Sequence, residues 1–155
     1  MKFGRKVDVA IGLALLVLPL LWFWPQTFGG RTLLPADNLY QWQPWQSFAA
    51  QWGVATPYNP LISDLVLENL PWKSFIIEQL AAGRPGDILW NPRVFAGAPF
   101  LAAGQHSALY PFSLIFYILP LWLAYGVFSA LQLGLAAAGM FIFGRVLGQR
   151  RAGAV

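Results

Sequence analysis

Two long apolar stretches bracket a region of polar and turn-forming residues. From Val9 to Trp24 there is no charged residue, and with Pro25 to Phe28 the run reaches 20 residues, enough to cross a hydrocarbon core of ~30 Å. A first transmembrane helix is therefore predicted at about 9–28, after a cytoplasmic N-terminus at 1–8. The basic start and Leu-rich centre also fit a secretory signal. A small-x-small cleavage site is missing, however, and the run ends in Leu-Trp-Phe-Trp-Pro, which favours an uncleaved anchor. Pro19 lacks an N–H and is expected to bend this helix. Trp22 and Trp24 fall where an outer interfacial belt lies.

The second stretch is longer. From Val94 to Gly144 no residue is charged apart from His106 when protonated, and Pro120 divides the apolar part that begins at Phe112. Residues 111–120 are predicted as a short re-entrant or interfacial helix. Residues 121–144 are predicted as a second transmembrane helix, roughly 36 Å long at 1.5 Å per residue. Gly134, Ala138 and Gly139 within it permit close helix packing, against the chain's own first span or against another protein. A cytoplasmic tail, 145–155, follows.

Residues 29–110 are too polar to span a bilayer and are expected to form an extracytoplasmic loop of short amphipathic helices. Pro71 suits the first turn of one helix and Gly83 its end. Trp72, Phe75, Ile76, Ile77 and Leu80 form its apolar face, with Lys73, Ser74, Glu78 and Gln79 opposite. The following string, RPGDILWNPRVFAGAP, is dense in turn formers and predicts an ordered irregular surface. The expected fold class is thus an all-α integral membrane protein with two transmembrane helices and a large extracytoplasmic loop.

Composition agrees. The chain is 57% hydrophobic and 10% charged, with a mean hydropathy of +0.54, against roughly 25% charged residues in soluble domains. It has no Cys and one His, which leaves no ligand set for a structural zinc, an iron–sulfur cluster or a bis-His haem. No metal or cofactor is expected. The net charge of +4 does not signal nucleic acid, because six of the ten basic residues lie at the ends: Lys2, Arg5, Lys6, Arg145, Arg150 and Arg151. Between them Arg31, Lys73, Arg84 and Arg93 meet Asp37, Asp64, Glu68, Glu78 and Asp87. This positive-inside asymmetry predicts that both termini are cytoplasmic.

The candidate chemistry lies in a doubled pattern. Asp37 opens DNLYQWQPWQSF and Asp64 opens DLVLENLPWKSF, 27 residues later, each acid standing seven residues before Pro-Trp. An acid near the outer end of a span can bind a divalent cation or act as a general base. Each can equally cap a short helix by accepting backbone N–H bonds. His106 can serve as a proton relay or quinone-site donor, or as a satisfied interfacial histidine. Trp72 and Trp90 can contact lipid or a quinone, or act as belt and packing residues.

The stretch from Asp64 to Gly148 resembles the N-terminal part of YfhO-type bacterial membrane proteins, relatives of the GT-C-fold glycosyltransferases that act on lipid-linked sugars. The matching elements are Asp64 with Pro71-Trp72, Gly83 before Trp90-Asn91-Pro92, Gly97-x-Pro99-Phe100, Gln105, Tyr110-Pro111, Leu119-Pro120 and GMFIFGRVLG. The resemblance implies the bacterial inner membrane as the location and Asp37 or Asp64 as the counterpart of the acid that takes part in sugar transfer. Such enzymes hold a polyprenyl-phosphate donor with many more spans than two. The leading expectation is therefore a small non-catalytic subunit in contact with membrane lipid and other integral membrane subunits, with a respiratory or photosynthetic complex as one conceivable host. The alternative is a glycosyltransferase-like fragment that works with a partner chain.

Overall fold

The computed structural model describes residues 4–155, apart from the side chain of Arg5. It is mostly helical. In chain order the α-helices are α1 (Arg5–Trp22), α2 (Trp24–Thr27), α3 (Leu70–Ala81), α4 (Phe100–Ala103), α5 (Leu114–Ile118), α6 (Leu121–Val146) and α7 (Arg151–Ala154). Two short strands, β1 (Trp90–Asn91) and β2 (Ala98–Pro99), pair antiparallel with Trp90 opposite Pro99 and Asn91 opposite Ala98. This small hairpin departs from the all-α expectation. The chain divides into two compact units, residues 1–33 with 122–155 and residues 34–121.

In the first unit, α6 is the one described helix long and apolar enough to cross a membrane. Its 26 residues rise about 39 Å. The continuous helix expected at 9–28 is instead interrupted at Phe23. The cause is Pro25 in the first turn of α2, which has no N–H to extend the ladder of α1. The buried Thr27 hydroxyl bridges the break, 2.8 Å from Leu20 O and 3.0 Å from Phe23 O, which also accepts the Gln26 and Thr27 N–H groups. Arg5, Lys6 and Asp8 already belong to the first turn of α1, so its uncharged part runs only from Val9 to Trp22.

Small residues set the contact of α6 with α1 and α2. A Cβ on Gly126 would overlap the backbone oxygen of Gln26, and one on Gly134 that of Leu16. Ala130, midway between them, is fully buried. These residues recur every fourth position and so share one helix face, where they let the backbones approach. Gly134 therefore meets the chain's own neighbouring helix, whereas Gly139 faces open space. At the far end Asp8 takes Arg151 Nε at 2.7 Å and Arg145 Nη2 at 3.5 Å. Arg145 also donates to Gln149 O. The tail folds back, with Ala154 against Gly144.

In the second unit the core is Phe75, Ile76, Ile88 and Phe100, flanked by Trp72, Leu101, Ala108 and Tyr117. The turn Leu65–Asn69 leading into α3 is π-helical. Pro71 cannot donate to a carbonyl four residues back and crowds it, and a wider turn relieves that crowding. Gly83 ends α3 with φ +68°, and Arg84 N–H closes on Gln79 O at 2.9 Å, a glycine stop. The faces of α3 differ from expectation: Lys73 and Gln79 are buried while Leu80 is 41% exposed. Lys73 and Gln79 share the stripe of Ile76, three residues from each, and find polar partners or packing there.

Candidate functional site

The doubled acids occupy unlike settings. Asp37 lies in the first turn of a 3-10 helix, Ala36–Gln41, that starts after Pro35. Its Oδ2 accepts the Tyr58 N–H at 2.7 Å across 21 residues, so it ties two loops together and does not cap its own helix. Asp64 precedes the π-helical turn without a side-chain hydrogen bond to it and is exposed. Its φ of −56° and ψ of −28° are already helical, whereas a capping side chain needs an extended backbone beneath it. The capping reading is thus corrected for both residues. The Pro-Trp halves diverge as well, since the Gln43–Pro44 peptide is cis and Pro71 sits in the first turn of α3. Even so, the Ala36–Gln41 and Leu65–Asn69 turns pack against each other, which brings the two acid-bearing segments into one neighbourhood.

A polar node in this unit joins His106, a candidate from the sequence, to Lys73, which the sequence placed on the polar face of its helix. Lys73 is 1% exposed. Its Nζ donates to His106 O at 2.7 Å and reaches Ser107 Oγ at 3.3 Å and Ser113 Oγ at 3.4 Å. The ammonium also lies 4.6 Å from the centroid of the Phe116 ring, a cation–π distance. Burial pulls the Lys73 pKa down to about 8, because desolvation penalises the charged form. Three oxygens and one ring face replace part of the lost water. The one available signal was spacing: Lys73 stands three residues before Ile76 on the helical face that points inward.

His106 completes the node. It is 2% exposed and stacks on Phe100 at a centroid distance of 4.1 Å. Its Nδ1 accepts the Ala108 N–H at 3.0 Å and its Nε2 faces Phe100 O at 2.7 Å. An amide can only donate and a carbonyl can only accept, so the ring is neutral with its proton on Nε2. Burial, aided by the Lys73 charge, lowers its pKa. Ser107, at φ +52°, holds the turn that offers His106 O to Lys73, a conformation unfavourable for a residue with a Cβ.

Two cavities flank the hairpin. One, of about 190 Å³, is bordered by Trp72, Phe95, Phe100, Gln105 and His106. The other, of about 340 Å³, is bordered by Glu68, Trp72, Ser74, Arg93 and Phe95. Trp72 and His106 therefore meet at one cavity. Trp90 lines neither; its ring lies against Gly97, where a Cβ would collide with it, and that glycine needs its φ of +120°. Arg93 is anchored by Glu78 at 2.6 Å, which holds the Glu78 carboxyl below its ordinary pKa. Phe95 and Ala96 both have positive φ, 50° and 61°, so the hairpin tip carries local strain. Among the described residues no three His, Asp or Glu side chains gather where they could hold a metal ion.

No protein-family model, no curated protein and no solved structure matches the chain.

Proposed function

We propose that the chain is a two-span integral membrane module of the bacterial inner membrane that docks onto a larger membrane assembly and carries no catalysis of its own. The observation that supports it best is α6. Its side toward α1 is a stripe of small residues, while Leu133, Met140, Ile142 and Phe143 are each at least half exposed. In water such a surface is unfavourable; in a bilayer it is the surface that meets lipid or another span. The α1–α2 segment supplies the second span in this reading, and the basic ends lie in the cytoplasm.

The experiment is extraction from native membranes in a mild detergent, followed by native gel electrophoresis and mass spectrometry of co-migrating proteins. A defined partner set is expected. Migration as the isolated chain under every mild condition rejects the docking role.

A second reading has one observation in its favour, the packing of the Asp37 and Asp64 turns against each other. In that reading the module is the acid-bearing part of a GT-C-like, YfhO-like glycosyltransferase that is completed by a partner chain and takes a polyprenyl-phosphate sugar. Asp37→Asn and Asp64→Asn then abolish sugar transfer by the reconstituted pair while leaving assembly intact. Retained transfer in both variants removes this reading.

A further inference from the structure

Beside the contact of α1 with α6 runs an open groove of about 600 Å³, lined among others by Val9, Leu13, Leu16, Leu135, Phe141 and Ile142. It exists because Gly12 and Ala138, on its two walls, contribute almost no side chain. A Cβ on Gly12 meets nothing within 4 Å. Among the described residues the charged ones bordering the groove are Asp8 and Arg145, at one end.

That end is strongly positive. Arg145 lines it and Arg151 is paired with Asp8 there, and Lys6 and Arg150 adjoin Asp8 and Arg151 in the chain, four cations to one acid among the described residues. Asp8 is engaged by both Arg145 and Arg151, so its charge is spent within the cluster. Lys6 and Arg150 are exposed, and the Arg151 side chain remains 40% exposed beside Asp8. A purely apolar occupant, such as a helix from another protein, would leave this surplus without a counter-charge. An amphiphile with an anionic head would satisfy both parts.

We propose that the groove binds an anionic glycerophospholipid, one acyl chain lying along Gly12 and Ala138 and the phosphate facing Lys6, Arg150 and Arg151. The inference rests on the two-span reading above. From Asp8 to Leu16 the groove follows α1 for about 12 Å, so it holds the part of the chain nearest the headgroup and leaves the rest to the bilayer. The exposed cations supply headgroup preference, and the missing side chain at Gly12 supplies the channel.

The test uses the full chain, purified in mild detergent and stripped of lipid, then titrated with phosphatidylglycerol or with phosphatidylcholine of the same acyl chains and read by native mass spectrometry. One phosphatidylglycerol is expected to be retained about tenfold more readily than phosphatidylcholine at low salt. Lys6→Gln and Arg150→Gln are each expected to reduce that preference about fivefold. Gly12→Leu, which fills the groove, abolishes retention of both lipids, and Ala138→Leu provides the same test from the opposite wall. Equal retention of the two lipids overturns the proposal. So does unchanged retention in the filled-groove variants, or a co-purifying protein that must be removed before any lipid binds. Carbonate washing of membranes separates the two levels: release of the chain defeats the two-span reading, whereas a chain that stays in the membrane without lipid preference defeats only the lipid site.

Discussion

Lys73 Nζ lies 2.7 Å from the backbone oxygen of His106, joining α3 to a turn 33 residues further on. The contact explains why a lysine expected on a solvent-facing surface becomes a central strut. It also makes stability depend on pH. The folded pKa of about 8 lies below the ordinary 10.5, so between these values the unfolded chain holds more protons than the folded one. Stability contributed by this group must therefore rise as pH climbs through that window, by up to about 3 kcal/mol. Thermal unfolding in detergent at pH 7.5 and pH 9.5 should show a gain for the native chain that is absent in Lys73→Met. An equal gain in the variant would assign the effect to other groups.

The small-residue stripe makes a steric prediction. Gly134→Leu forces a side chain into the backbone of α1 and is expected to cost roughly 1–3 kcal/mol or to part the helices. Gly139→Leu enters open space and should stay within about 0.5 kcal/mol of the parent. Paired thermal unfolding curves, together with a cysteine crosslink between α1 and α6, would check both. Similar losses in the two variants would contradict the packing described.

The repeated acids should separate in stability tests. Asp37→Ala removes the acceptor of the Tyr58 N–H and is expected to cost about 1 kcal/mol. Asp64→Ala, whose side chain makes no bond to its helix, should change stability by less than about 0.5 kcal/mol. A large loss at Asp64 would contradict its free, exposed setting beside the π-helical turn.

Asp8 holds the two ends of the first unit together. Asp8→Asn weakens its pairing with both Arg145 and Arg151, and it should lower the unfolding temperature more than Arg151→Gln, which affects only the more exposed partner. Protease sensitivity at Arg150 and Arg151 should rise in Asp8→Asn as α7 loosens. An intact digestion pattern would show that the tail is held by Ala154 against Gly144 instead.

The legible parts of the fold were those controlled by local rules. Pro71 and Gly83 marked the ends of the main loop helix to within two residues of α3, and Pro120 marked the start of α6. Apolar length is an incomplete rule: Pro25 breaks the first apolar run at Phe23 because a missing N–H outweighs continued apolarity. The repeat of Asp37 and Asp64 was visible as a pattern, but identical spacing did not impose identical geometry, since one Pro-Trp pair follows a cis peptide and the other opens a helix.

Sequence alone determined where apolar runs begin and end, how charge is distributed and which residues can stop a helix, because these follow from chemistry within a few residues. Tertiary structure decided which side chains lose water. Lys73 went inside because the turns at His106 and Ser113 place three oxygens where its ammonium ends, and Gly126 and Gly134 became contacts because α2 and α1, respectively, pass over them. Neither outcome can be read from spacing, since each depends on groups brought together from distant parts of the chain.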